Sequence, residues 1–592
     1  MKTDFKTILK NKENCIWAFL FSSLFCVVTA IFFDYYYDLN DDMLMKDIVA
    51  GIYTGTPSGH NIQMLYPLSF FLSLLYHIGR NIPWYGIFFL LCQYGCLYLL
   101  TERFLSFYDK RWKKAVQLVI EAGLLITLFL SDLVFVQYTV TAALLASTAA
   151  FLFFTSAPAS TLKGFLRNNT ISIVLVILAY QMRTELLLML LPFICVTGVC
   201  RWVRETPVFT KLNFQKYFSV FGLILAGMIV SQGMHILAYG SEQWKEFNRF
   251  FDNRTELYDF QYIPSYDGNE AFYESIGLTK SEQTLLVNYN FGLDEEINAD
   301  VLGQVAAYAA ELKKGVQPSF TAKLKQAVWE LKYRLLYETD RPWNLVAITL
   351  YMLVFSAALC NKNWHILWEL PFLFAVRSGL WLFILYRGRS PVRITHSLYL
   401  MECLILLAML LTECHKQPRK KIVTILSCGS ALAMLIICFL YAGAGITKTG
   451  QEFARREQVN QAYLSLQEYV KERKDSFYFW DVYSSVAYSE KMLTASPAGL
   501  SNLDIMGGWA DKSPLTREKY EKFGFSSMQE ALLTEDVYIV VKSPELSGYP
   551  LLEEWLSAFY ADQNYAVKLK KVDSVYAEGQ EVFSIYQVQP AS

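Results

Sequence analysis

The sequence has no excess of either charge and lacks the short motifs of nucleotide-dependent and zinc-dependent enzymes. Its 53 Lys and Arg residues balance 54 Asp and Glu residues, which gives a net charge of −1. Nucleic-acid binding normally needs a basic face. No Walker loop, no GxGxxG before a helix, no HExxH and no CxxC pair occurs. The sequence therefore gives no support to nucleic-acid binding, nucleotide hydrolysis or zinc proteolysis.

Cysteine is missing from the two long polar regions of the chain. The sequence has 11 Cys, and none of them falls within 239–342 or 443–592. Because neither region has a disulfide framework, we expect each to fold through its own core.

Long apolar runs dominate the rest of the sequence. Hydrophobic residues make up 54% of the chain and the mean hydropathy is +0.25. Many runs approach the ~20 residues that span a bilayer. This pattern predicts a mainly α, polytopic membrane protein. The first run, 16–33, follows a Lys-rich start without a small-residue cleavage site, so we expect an uncleaved anchor.

The positive-inside rule predicts the topology. The Lys-rich residues 1–14 are expected in the cytoplasm and the carboxyl terminus outside a cell membrane. The apolar helix at 64–78, which is short and contains Pro67, is interpreted as interfacial. The eleven expected spans are 16–33, 84–100, two within 115–157, two within 171–200, 217–237, 343–360, 365–386, 394–413 and 422–442.

Composition divides the chain into four parts. The first is a membrane region, 1–238, with an external loop at 34–82. An external helical insert at 239–342 separates it from further membrane helices at 343–442. Apolar stretches alternating with helical segments predict an external α/β domain at 443–592.

The first external loop carries an acidic pair next to a tyrosine cluster. Its sequence from 34 is DYYYDLNDDMLMKDIVAGIYTGTPSGH, with the pair at Asp41 and Asp42. Tyrosine clusters favour the membrane–water interface, so the carboxylates are expected just outside the bilayer, where a general base for a lipid-carried substrate belongs. The alternative is that both only cap the segment 43–52. Adjacent residues diverge by about 100° on a helix, and we favour Asp41 as the base.

A second external loop is unusually basic. Arg387, Arg389 and Arg393 lie within seven residues between two spans. Guanidinium groups bind phosphate in a bidentate manner, so these residues are predicted to bind a substrate phosphate. The alternatives are contacts with anionic headgroups or with acidic residues of the external domain.

Several other polar residues are candidates for a substrate cavity. Arg377 lies inside a span, where a charge needs a partner, and Glu185 or Asp132 is the expected one. Arg183 is predicted at the external face beside Glu185. His60 is a candidate ligand for sugar, phosphate or metal, or else a plain turn histidine.

The layout resembles the C-type superfamily of membrane glycosyltransferases (GT-C). The residues that carry the resemblance are Asn40, Asp41 and Asp42, which match its acidic motif, and Tyr66 and Pro67, which match its interfacial segment. The stretch NDDMLMKDIVAGIYTGTPSGH also looks like uncharacterised membrane proteins of Gram-positive bacteria. The large insert at 239–342 departs from the simplest members of the superfamily.

The resemblance implies transfer of a sugar from a polyprenyl-phosphate donor to a glycan or lipid acceptor of the cell envelope. A carboxylate would accept the acceptor's proton while Arg groups stabilise charge on the leaving phosphate. No cofactor is certain, and a divalent Mg or Mn ion stays open. The alternatives are a lipid-linked oligosaccharide flippase or transporter, and a non-catalytic envelope assembly protein. Transporters usually place ionisable groups at the bilayer midplane, whereas the charges here gather at the outer face, which favours the enzyme.

Overall fold

The computed structural model describes residues 5–316, 318–336, 338–415, 421–494, 499–545 and 549–591. It is 69% helical, with few strands. Within these ranges, eleven helices are long and apolar enough to cross a membrane. The predicted mainly α class is thereby confirmed, and the number of candidate spans equals the eleven expected.

The first ten helices build the amino-terminal part of the bundle. Two short strands, β1 (Tyr36–Tyr37) and β2 (Phe135–Val136), lie between them. The helices are α1 (Phe5–Phe33), α2 (Asn40–Ala50), α3 (Tyr66–Ile78), α4 (Trp84–Ser106), α5 (Arg111–Leu124), α6 (Leu130–Val134), α7 (Tyr138–Thr155), α8 (Leu162–Met182), α9 (Thr184–Val203) and α10 (Lys211–Ala238). A π-helical turn at Leu125–Phe129 joins α5 to α6, so together they form a single span.

The insert and the remaining bundle helices follow. The insert contains α11 (Glu242–Thr255), α12 (Glu270–Ser275), α13 (Lys280–Val287), α14 (Ala299–Val316) and α15 (Phe320–Arg334). After it come α16 (Trp343–Cys360), α17 (Ile366–Tyr386), α18 (Val392–His415) and α19 (Lys421–Glu472).

The bundle is organised around α7, the most deeply buried of its spanning helices. Small residues dominate its sequence, TVTAALLASTAA, and small side chains let neighbouring helices approach closely within a membrane. Helices α4, α8, α9 and α18 pack against it. In contrast, α1 and α10 expose much of their apolar surface, for example Phe19, Phe218 and Ile229. These helices form the lipid-facing rim.

Helix α3 is shorter than a membrane span. Its 13 residues extend about 20 Å, against a hydrocarbon core of about 30 Å. Pro67 occupies the first turn of α3, where its missing N–H leaves no hydrogen bond unmade. The helix packs beside α2 and α10.

The last helix of the bundle runs without a break into the carboxyl-terminal part. Helix α19 has 52 residues and is therefore about 78 Å long. It passes through position 443, where composition placed a domain boundary. Tyr463 and Leu466, on its distal half, pack against Trp480 and Phe583 of the following sheet. The helix thus links the membrane bundle to the sheet as one continuous element.

A five-stranded sheet with flanking helices forms the carboxyl-terminal part. Within the described residues its order is β4-β3-β5-β7-β6, with parallel pairs at β3 and antiparallel pairs at β7. The elements are β3 (Phe477–Trp480), α20 (Val482–Ser485), β4 (Leu503–Ile505), α21 (Pro514–Phe523), α22 (Met528–Ala531), β5 (Val537–Lys542), α23 (Leu552–Asp562), β6 (Val567–Ala577) and β7 (Gln580–Pro590).

The carboxyl-terminal part docks onto the loop that follows α1. Tyr36 of β1 pairs in parallel with Phe135 of β2 and forms an antiparallel bridge with Lys491. The Met492 N–H donates to the Tyr35 carbonyl at 2.8 Å. A Cβ on Gly86 of α4 would collide with the Met492 carbonyl, which shows how closely this segment lies against the bundle. Helix α2, which follows β1, is therefore fixed from both sides.

Candidate active site

Helix α2 presents the acidic pair in its first turn. Asp41 and Asp42 lie beside the free N–H groups of the helix start, where negative charge is favoured by the helix dipole. The capping residue is Leu39, and no side-chain capping hydrogen bond forms here among the described residues. The alternative that the two carboxylates cap the helix therefore does not match the structure.

Asp42 points into the protein core. It is 1% exposed, and its Oδ1 accepts a hydrogen bond from the Tyr85 hydroxyl at 3.0 Å. Its Oδ2 has no hydrogen-bond partner among the described residues. Burial raises the pKa of Asp42 well above its usual range. Burial therefore favours the neutral form of Asp42, and its hydrogen bond to Tyr85 links α2 to α4.

Asp41 differs from Asp42, because the charges of three arginines act on its carboxylate. Burial raises the pKa of its carboxyl, and the positive charges of Arg393, Arg183 and Arg254 oppose that rise. These arginines come from the start of α18, the α8–α9 junction and the end of α11. Three sequence-distant elements thus contribute charges that act on one carboxylate, and we call these four residues the Asp41 cluster.

Arg183 is the best anchored member of the cluster. Its Nε lies 3.1 Å from an oxygen of Glu185, which is 73% exposed, and its Nη1 donates to Gln63 at 2.9 Å. The guanidinium carbon lies 5.3 Å from the centre of the Tyr138 ring. These contacts hold Arg183 and leave part of its donor set open to a ligand.

Arg254 and Arg393 have the greater unused hydrogen-bonding capacity. The buried Nε of Arg254 has no hydrogen-bond partner in the described part of the chain, and its guanidinium lies 5.6 Å from the Tyr258 ring centre. The structure gives the Arg393 side chain neither a hydrogen bond nor an ion pair with any described residue. A buried donor without a partner is costly, so the Arg254 Nε favours a bound anion, whereas the Arg393 side chain is only half-buried.

The other two arginines of the basic loop line a neighbouring cavity of about 800 Å³. Arg389 Nη1 lies 2.5 Å from Asp259 Oδ2, and Arg387 lies 5.0 Å from the Phe260 ring centre. Lys313 and Lys323 also line this cavity, which makes it basic. Asp259 also acts electrostatically on Asp41 and Arg183, so the cavity adjoins the Asp41 cluster.

The basic loop therefore divides into two sets. Arg393 belongs to the Asp41 cluster, whereas Arg387 and Arg389 belong to the cavity. Arg389 forms an ion pair with Asp259 of the insert, not with an acidic residue of the external α/β domain that the alternative named.

His60 and Tyr66 lie in an aromatic cluster rather than beside Asp41. The His60 ring stacks on Trp244 at 5.0 Å and lies 5.1 Å from both Tyr66 and Tyr239. Burial lowers the pKa of His60. These rings join the first loop to the start of the insert, and their packed faces indicate a structural contact.

The expected partner of Arg377 was wrong. Arg377 Nε lies 3.3 Å from Glu402 Oε1, and both side chains are buried inside the bundle. The Tyr351 hydroxyl donates to the same carboxylate at 3.0 Å. Glu185 pairs with Arg183 and Asp132 with His396. Arg377 lies midway along α17, whereas Glu185 and Asp132 lie near helix ends, so Arg377 is not part of the cavity.

The divalent ion that the sequence left open lacks a fitting ligand set. Among the described residues, no group of three or more His, Cys, Asp or Glu side chains is placed to hold a metal. Asp42 accepts a hydrogen bond from Tyr85 while the arginine charges act on Asp41, so the pair does not converge on one ion.

Sequence reasoning missed several residues of the site. Arg254, Asp259 and Lys313 all lie in the insert, far along the chain from Asp41. Tyr138 follows β2, whose pairing with β1 brings it next to α2. No local pattern signals these contacts, because only tertiary packing creates them.

Comparison with known proteins gives no relative. No family model, curated protein or solved structure matches this chain.

Proposed function

We propose that this chain is a membrane glycosyltransferase that moves a sugar from a polyprenyl-phosphate donor to an acceptor of the cell envelope. The observation that carries the proposal is the Asp41 cluster, in which the positive charges of three guanidinium groups act on one carboxylate. A general base beside a ready-made anion site is what displacement of a phosphate by a hydroxyl requires.

The chemistry assigns a distinct role to each charge. Asp41 accepts the proton of the acceptor hydroxyl as that oxygen attacks the anomeric carbon of the sugar. The bond from this carbon to the donor's phosphate oxygen breaks, and its electrons remain on the phosphate. Arg393, Arg254 and Arg183 stabilise the charge that develops there.

The raised pKa of Asp41 suits this role. A carboxylate in water is a weak base, and burial makes it stronger by disfavouring its charged form. The three arginines limit this rise, so that the group can still be ionised when the acceptor arrives. General bases work best when their pKa lies near the working pH.

A flippase or transporter of lipid-linked oligosaccharide is the second candidate. The observation that favours it is the Arg377–Glu402 pair, which is buried midway along α17 and α18. Transporters often place ionisable groups at this depth. Arg377 and Glu402 contact each other, and Glu402 also accepts a hydrogen bond from Tyr351. This arrangement also fits a purely structural role.

Replacing each Asp of the pair by Asn separates the candidates. Asp41→Asn should lower sugar transfer about 10²- to 10⁴-fold, the usual contribution of a general base. Asp42→Asn is the matched control, because Asn keeps the size and neutrality of a protonated Asp. Membranes with each variant would be assayed with radiolabelled polyprenyl-phosphate hexoses and pentoses and a cell-envelope acceptor fraction.

The same membranes are tested for binding and for flipping. Asp41→Asn should retain binding of polyprenyl phosphate, because the three arginines remain. Normal transfer by Asp41→Asn would refute the enzyme assignment. Flipping of a fluorescent lipid-linked sugar that depends on Arg377 and Glu402 would then establish the transporter.

A further inference from the structure

Helix α15 leaves a row of large apolar side chains uncovered. Phe320, Leu324 and Val328 recur every fourth residue, and all three are exposed. Trp329 is 61% exposed and stacks on Tyr333 at 5.2 Å. The exposed apolar row at 320, 324 and 328 is of the kind that marks a partner or a membrane, whereas Trp329 lies about 140° from it around the helix.

Another side of the same helix lines the basic cavity. Lys323, Gln326 and Glu330 are part of the cavity wall together with Arg387 and Arg389. On a helix of 3.6 residues per turn, this row lies about 130° from the apolar row. Helix α15 therefore separates the cavity from whatever covers Phe320, Leu324 and Val328.

The position of α15 relative to the bundle indicates what covers this row. The Phe320 ring lies 5.7 Å from Tyr386, the last residue of α17. Arg334 donates to the Ser390 hydroxyl at 3.0 Å, just before α18 begins. Helix α15 therefore lies beside the ends of two spanning helices, at the height where a bilayer meets water.

The apolar row continues the surface of the neighbouring span. On α17, Phe383 is also exposed, whereas Tyr386 lines the basic cavity. Lys325 and Lys332 are exposed on α15 between its apolar residues. Lys together with Trp and Tyr on a helix with an apolar side is typical of helices that lie in the plane of a membrane surface.

We propose that α15 lies along the surface of an anionic bilayer. Phe320, Leu324 and Val328 enter the acyl boundary, while Lys325 and Lys332 meet the phosphates of anionic headgroups. This interaction surface exists whether or not the cavity is catalytic. One consequence rests on the proposed function: a lipid-linked phosphate enters the cavity past α15 without leaving the bilayer.

Site-specific fluorescence tests the proposal on the full chain. A fluorescent amino acid is incorporated at position 324 or 328, or at cavity-lining position 326 as the matched control. The protein is placed in nanodiscs of phosphatidylglycerol that contain a spin-labelled quencher lipid. The lipid quencher should reduce emission at 324 and 328 at least twofold more than at 326, and aqueous iodide should show the reverse order.

Other outcomes overturn the proposal. Equal quenching by iodide at 324 and 326 would show that the apolar row faces water. Protection of 324 from both quenchers, together with a dimer by light scattering, would assign the row to a second copy of the chain. Equal lipid quenching in phosphatidylcholine and phosphatidylglycerol would remove the role of Lys325 and Lys332. Because no substrate is used, failure here and failure of the transfer assay are separate results.

Discussion

The ionisation of Asp41 is set by two opposing effects. Burial favours the neutral acid, and three nearby guanidinium groups favour the carboxylate. Asp42, one residue later, lies in the core beside Tyr85 and has no arginine near it among the groups that shift its pKa most. Adjacent residues of one type therefore have different roles because the helix turns them into different surroundings.

Arg393 should control both the binding of phosphate and the pH dependence of the reaction. Losing a charge-assisted contact costs about 1.5–3 kcal/mol, so Arg393→Gln should weaken polyprenyl-phosphate binding about ten- to a hundredfold. Removing its positive charge should also raise the pKa of Asp41 further. The acidic limb of the kcat/KM profile should then move to higher pH.

The matched control is Arg393→Lys, which keeps the positive charge and loses the planar guanidinium group that binds phosphate with two N–H donors. Its acidic limb should stay close to that of the wild type while phosphate binding weakens. An unchanged limb in Arg393→Gln would show that Arg393 does not act on the base.

Asp511 makes a separate prediction about stability and pH. Burial raises its pKa to about 7, from an ordinary value of 3.8. The folded state therefore keeps the Asp511 proton up to a higher pH than the unfolded state does. The contribution of this group to the free energy of unfolding is complete below pH ~4 and is lost as pH rises through 7. Asp511→Asn should raise the melting temperature more at pH 8 than at pH 5, measured by tryptophan fluorescence.

The control for this prediction is Asp475→Asn, at an exposed position just before β3. Its melting temperature should follow the wild type at both pH values. Equal shifts of Asp511→Asn at pH 5 and pH 8 would contradict a protonated Asp511.

At the scale of single residues, the sequence predicted the divergence of the Asp pair, because helical geometry is local. It did not predict that Arg254 belongs to the site, because the sequence around a single arginine gives no information about its neighbours in space. The partner of Arg377 was wrong for the same reason: Glu402 lies on a helix whose packing against α17 is decided by the whole bundle.

At the scale of elements, α2 is held by an ion pair to the carboxyl-terminal part. Lys46 Nζ lies 2.6 Å from Glu490, and both groups are largely buried. The Tyr37 N–H also donates to the Glu490 carbonyl at 2.9 Å. Because Asp41 lies on the same helix as Lys46, this contact sets where the carboxylate stands relative to the arginines.

Breaking the pair should reduce stability and activity together. Removing one partner of a buried ion pair lowers the free energy of unfolding by about 3–5 kcal/mol. The loss for Glu490→Gln should lie at the lower end of this range, because Asp47 remains 3.0 Å from Lys46 and still neutralises it. Transfer should fall because α2, and with it Asp41, is misplaced.

The double variant Lys46→Met with Glu490→Met provides the comparison. Apolar replacement of both partners removes the unpaired charge, so its melting temperature should exceed that of Glu490→Gln. If Glu490→Gln melts as the wild type does, the pair does not hold α2.

Sequence patterns located the elements well and their contacts poorly. The expected helix at 43–52 is α2, Asn40–Ala50, because apolar spacing is a local signal. The predicted boundary at 443 falls inside α19, since a helix can continue while its surroundings change from lipid to water. Helix α15 lines the cavity because it packs on α17. The hydrophobic periodicity of the sequence does not predict that packing.

At the scale of the whole molecule, the number of candidate spans agrees with the end of the bundle at which the carboxyl-terminal part docks. An odd number of crossings places the end of α19 on the side opposite the start of α1. The bridge between Tyr36 and Lys491 places the loop after α1 at that same end. Hydrophobic length predicted the number of helices from sequence, and the Lys-rich amino terminus predicts which end faces the cytoplasm.

The final prediction tests this sidedness with cysteines introduced into a cysteine-free full-length chain. A membrane-impermeant maleimide added to intact cells should label cysteine at positions 275 and 580, which are exposed in the insert and in the β6–β7 turn. It should miss positions 110 and 362, which are exposed in loops at the opposite end of the bundle. All four should react after the cells are permeabilised, which controls for accessibility. Labelling of 110 and 362 in intact cells, with 275 and 580 protected, would place the Asp41 cluster in the cytoplasm. A mixed result within either pair would break the alternation of the eleven helices, because each loop pair lies at one end of the bundle.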